Sequence, residues 1–130
     1  MHQHGAKSTE VQNVVMPGAL QLGFASEKKG LFNSYNVSAL RPDYYLKIRD
    51  SGIIFEVERG KTISNNMDLL DIWKCHICED AEYLFLLVPQ VRQTSNGRNT
   101  RPFGLVHNRL ETFFKPQNHI NVEAVFLFGY

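Results

Sequence analysis

Ile53-Ile54-Phe55-Glu56-Val57-Glu58 alternates with period two, and no other stretch of this 130-residue chain constrains its folding as much. Successive side chains of a strand leave opposite faces of the pleat, so alternation at this period predicts a strand. Ile53, Phe55 and Val57 take one face, and Ile54, Glu56 and Glu58 the other. The two carboxylates then stand roughly 6.5 Å apart along the backbone. Like charges that close disfavour each other's ionisation. A hard divalent cation, which prefers oxygen ligands, relieves the repulsion. The plainer alternative is a solvated strand face whose glutamates pair with Lys47 or Arg59.

The flanking residues extend the strand into a hairpin. Asp43 to Ile48 is rich in aromatic and β-branched residues and predicts the preceding strand. Arg49-Asp50-Ser51-Gly52 is the turn, with Gly52 as the residue that tolerates positive φ. After the hairpin, Ser64-Asn65-Asn66 offers capping side chains. Met67, Leu69, Leu70, Ile72, Trp73 and Ile77 then predict a helix to about Glu79, with Trp73 in its core face. Asp68 and Asp71 suit the start of that helix. Glu82 to Pro89 is an almost unbroken apolar run, the pattern of a strand covered on both faces. Residues 90–102 form a polar loop, Phe103 to Phe114 a helix stopped by Lys115-Pro116, and Val122 to Phe128 a last strand. Upstream, residues 1–9 read as a flexible lead. Residues 10–22 read as a helix broken or delayed by Pro17-Gly18, and Ser26-Glu27-Lys28-Lys29 as a polar helical turn.

The order is helix, hairpin, helix, strand, helix, strand. A helix between two strands implies a right-handed crossover to a parallel neighbour. The predicted fold is α/β, a mixed sheet of about five strands flanked by helices, in one domain over residues 10–130. At 43% hydrophobic and 21% charged, the chain can build such a core. A net charge of +1 argues against a sequence-blind electrostatic binder of nucleic acid. No apolar run approaches the roughly 18 residues of a membrane span, and the start lacks a secretory core, so the expected setting is cytoplasmic with no membrane partner.

Pro42-Asp43, twelve intervening residues, and then Glu56-Val57-Glu58 on the second strand of a hairpin resemble the PD-(D/E)xK nuclease superfamily. The following helix and the apolar strand extend the likeness across about residues 20–90. The resemblance implies a restriction-endonuclease-like core of a helix, three strands, a helix and a strand. It implies a magnesium-dependent endonuclease acting on DNA, with manganese as an alternative metal. Asp43 and Glu56 would be the acidic metal ligands, with the Val57 carbonyl as a further one. Where the family carries lysine this chain has Glu58, read as a second metal contact, with Lys61 reaching back as the cation. Glu27 stands where a first-helix acid completes some sites of the family. The alternative is a catalytically inactive nucleic-acid-binding or assembly subunit of the same fold. A homodimer or a larger nuclease complex would provide the second active site that cutting both strands requires.

Arg92, Arg98 and Arg101, with Asn66 ahead of the second helix, are candidate DNA contacts. For the arginines the alternative is a solvated loop, and for Asn66 it is helix capping. Cys75 and Cys78 are half a zinc site at most, needing His107 or His119 from distant segments, and read as structural thiols.

Overall fold

The computed structural model describes residues 8–26, 32, 35, 40–59 and 62–130. Their elements are helix α1 (Ser8–Gln21), strands β1 (Ala25–Ser26), β2 (Tyr44–Ile48) and β3 (Ser51–Val57), helix α2 (Met67–Ile77), strands β4 (Tyr83–Val88), β5 (Arg92–Gln93) and β6 (Asn99–Thr100), helix α3 (Pro102–Glu111) with a 3-10 turn Thr112–Phe114, and strand β7 (Ala124–Gly129). Five strands form one sheet in the order β1-β2-β3-β4-β7. The pairs β1–β2 and β2–β3 are antiparallel, while β3–β4 and β4–β7 are parallel, so β2 alone runs against the rest. The fold is the α/β mixed sheet that the sequence predicts.

The alternation of β3 sorts its residues as expected. Ile53, Phe55 and Val57 join Val11 and Ala19 of α1 with Phe24 and Tyr44 in one apolar layer. Ile54 packs on the other side with Ile72 and Cys75 of α2, Val106 and Leu110 of α3, and Leu84, Leu86 and Val88 of β4. Both faces of β3 are therefore covered. Glu56 and Glu58 are buried rather than solvated, which removes the plainer reading of their face.

Several local expectations change. Pro17 lies inside α1 without breaking it. The helix ends in a Schellman motif: Phe24 N–H donates to Ala19 O (3.0 Å) and Gly23 N–H to Leu20 O (3.0 Å), with Gly23 at φ 98°. Ser26 belongs to a strand, paired with Tyr44, rather than to a helical turn. In the β2–β3 hairpin Arg49, at φ 49°, takes the left-handed conformation. Gly52 is required for a different reason: a Cβ there would lie 2.4 Å from the Tyr45 ring and 2.6 Å from the Asp80 carbonyl. The 90–102 loop contains the small β5–β6 hairpin. Trp73 is 42% exposed, not a core residue.

Candidate metal centre

The buried side of α2 is not its apolar stripe. Asp68, Asp71, Ile72, Lys74 and Cys75 face inward, while Leu70 and Trp73 face out. Asp71 and Lys74, one turn apart, are thereby set over the Glu56/Glu58 face of β3. One ligand oxygen from each of Glu56, Glu58 and Asp71 lies within 4.8 Å of the others, and all three residues are buried. Lys74 Nζ donates to Glu56 Oε1 in direct contact and lies 3.3 Å from Asp71 Oδ1. The Asp71 side chain is fully buried, and apart from the Lys74 ion pair and the Glu58 carboxyl its oxygens have no polar partner among the described residues.

Asp43 stands beside this group at the start of β2. Its N–H donates to Glu56 Oε2 (3.2 Å), and its Oδ2 accepts from the Val57 N–H (2.8 Å). The first bond orients the Glu56 carboxyl and the second ties Asp43 to the β3 backbone, leaving Asp43 half-buried beside the three-carboxylate group. The Tyr130 hydroxyl donates to the Glu58 carbonyl (2.8 Å) and Glu58 N–H to Leu87 O (2.8 Å), holding the end of β3 in place. Lys61 and Glu27 lie outside the described residues.

The electrostatics follow from three buried carboxyls sharing one ammonium. Burial, then the nearby Asp71, push Glu56 up to about 8 despite Lys74. Burial raises Glu58 as well. Asp71 rises well above the usual carboxyl range through burial and its contact with Glu58. Lys74 is raised, because its two carboxylate partners outweigh the cost of burial. A hard cation seated among the three carboxyls would relieve the crowding of negative charge that helps raise them. Three buried carboxyls with all-oxygen donors suit a hard cation.

The remaining candidates are dispersed around the site's end of the sheet. Parallel strands β3, β4 and β7 end together, next to the start of β2. In open α/β sheets that end is where ligands bind. Arg41 precedes β2 there, Arg59 follows β3, and Arg92 follows β4, with Arg98 and Arg101 exposed on and after its hairpin. The opposite end carries exposed Asp50, Glu79, Asp80, Glu82 and Glu123, outnumbering Lys47 and Arg49. Asn66 does not cap α2 with its side chain. It sits at φ 54°, and its Oδ1 accepts from Arg109 Nη2 (2.9 Å). Arg109 also pairs with buried Asp68 (3.2 Å). Cys75 and Cys78 are free, buried thiols, with Cys75 pushed up to about 12 by burial, and no cysteine belongs to a metal-ligand cluster among the described residues.

Asp71, expected only to suit the start of its helix, and Lys74, given no role from the sequence, join the site in the structure. Their signal is Asp68, Asp71 and Lys74 at intervals of three, sharing a helical face with Ile72 and Cys75. Comparison with protein-family models, curated proteins and solved structures gives no match. No helix among the described residues is long and apolar enough to cross a membrane.

Proposed function

We propose that this protein is a metal-dependent endonuclease that hydrolyses phosphodiester bonds in DNA. The observation that carries the reading is the buried trio Glu56, Glu58 and Asp71, with ligand oxygens within 4.8 Å of one another and Lys74 paired to Glu56 and Asp71. The helix, three strands, helix and strand from α1 to β4 support it, because that is the core order of the PD-(D/E)xK superfamily.

Glu56, Glu58 and Asp71 would hold a magnesium or manganese ion, with Asp43 and the Val57 carbonyl beside them. Held there, the ion would supply a more acidic water and neutralise charge developing on the phosphate. Asp43 holds the Glu56 carboxylate through its N–H. Lys74 is the lysine in contact with the acidic group, and it takes the role that the family's third position would give, orienting a phosphate oxygen or the attacking water. Arg41, Arg59, Arg92, Arg98 and Arg101 bind backbone phosphates and direct the diester toward the carboxylates. Cutting both strands of a duplex then calls for a second copy or a larger complex.

A second reading, an inactive DNA-binding or assembly subunit, draws on the Lys74–Glu56–Asp71 contacts, which can serve as a structural ion-pair network. Incubation with supercoiled, linear and branched DNA in magnesium or manganese separates the two. Cleavage is expected, reduced on the order of 10²–10⁴-fold in Glu56→Gln, Asp71→Asn and Lys74→Met. No cleavage of any substrate with either metal would falsify the enzymatic reading. Activity that survives both carboxylate changes would move the site elsewhere.

A further inference from the structure

We propose that Lys74 is a built-in cation that a divalent ion must displace, so that metal binding and release of the lysine toward the substrate are one event. The inference rests on the nuclease reading of the same residues and adds an order of events to it.

Lys74 Nζ touches Glu56 Oε1 and lies 3.3 Å from Asp71 Oδ1, and its side chain is only 7% exposed. Glu56 and Asp71 are two of the three carboxylates that would hold the ion. An ion coordinated there and the ammonium would stand within a few ångströms of each other in a site with little water to screen them. Two cations at that separation repel strongly. They compete for the same oxygens, and the lysine is the one that can leave, having a flexible four-carbon stem on a helix that need not shift. Lys74 is the one cation paired with Asp71 among the described residues, and its other close neighbour, Glu58, belongs to the same ligand set, so losing Lys74 frees Asp71 to ligate. Until an ion is seated, Lys74 stays engaged with carboxylates and is not offered to a phosphate. Metal binding therefore arms the site.

The exchange reverses the usual expectation for a catalytic lysine. Removing Lys74 should abolish activity yet strengthen metal binding, because the ion no longer competes with charge-assisted hydrogen bonds. Calorimetric titration with manganese(II) at pH 8 reads this directly. Lys74→Met is expected to bind the ion roughly ten- to a hundredfold more tightly than wild type, and Asp71→Asn to lose most of the affinity. Wild-type binding with Lys74→Met equal or weaker overturns the exchange and leaves the metal site standing. No binding by wild type overturns the metal reading, and the exchange with it. A second measurement needs no variant. Acetylation of the native protein, mapped by mass spectrometry, should leave Lys74 protected without metal and label it several-fold faster with saturating manganese(II). Continued protection with the ion bound overturns the proposal.

Discussion

A glutamate with its pKa near 8 makes the stability of this protein depend on pH in an unusual direction. The ordinary value is 4.5, and burial raises Glu56 to about 8. Between those values the folded chain keeps a proton that the unfolded chain has released, so stability falls as pH rises through the window. Glu58 and Asp71, also raised, act in the same sense. Lys74, raised above the usual lysine value, keeps its contribution throughout that window. The metal-free protein should melt roughly 10 °C lower at pH 8.5 than at pH 5.5. Manganese(II) should raise the melting temperature more at the higher pH, and Glu56→Gln should flatten the dependence. A metal-free melting temperature that climbs with pH would contradict the burial of these carboxyls in a shared site. Glu56 and Glu58 were legible from the sequence because a strand's period is two and their neighbours are apolar. Asp71 and Lys74 were not, because Leu69, Leu70 and Trp73 suggest a different inward face, and only packing against β3 decides the rotation of the helix.

At the scale of elements, α2 is the part that must be held in register with β3, and α3 does much of the holding. Arg109 pairs with Asp68, donates to Asn66 Oδ1, and reaches the Ile63 carbonyl at 3.4 Å. One side chain thus ties α3 to both the start of α2 and the segment before it. Arg109→Ala leaves a fully buried aspartate without its ion-pair partner. It should destabilise the fold by about 3 kcal/mol in denaturant titration. A change below about 0.5 kcal/mol would show that the tie is incidental. The hairpin, α2, β4 and β7 were all legible, since each is long enough for its period to show. β1 was not, because a two-residue strand has no period and exists only through its pairing with β2. The role of Gly52 was hidden for a similar reason. Its close neighbours, Tyr45 and Asp80, meet it only after the sheet and the α2–β4 connection have formed.

For the whole molecule, charge is divided between the two ends of the sheet although the total is only +1. Arginines flank the carboxylate end, while at the other end acids outnumber Lys47 and Arg49, so under the nuclease reading a polyanion favours the first. Arg98→Ala and Arg101→Ala should each weaken DNA binding uniformly across sequences and reduce the salt dependence of affinity by about one phosphate contact. The reversal Glu123→Lys, at the far end, should leave that slope unchanged. A slope that responds to Glu123 and not to the arginines would place the nucleic-acid surface elsewhere.

The two-residue period of β3 also sets which lengths of chain a descendant of this protein can carry. The β5–β6 hairpin can gain or lose residues at its tip without disturbing anything beneath it. Ser51–Val57 has no such freedom. One residue inserted or deleted before Glu56 turns its carboxylate into the aromatic layer of Phe24 and Tyr44, and Phe55 toward Asp71. Length variation among relatives should therefore gather in the arginine hairpin and be absent from β3, a parity rule that a lineage must obey even where the residues themselves drift.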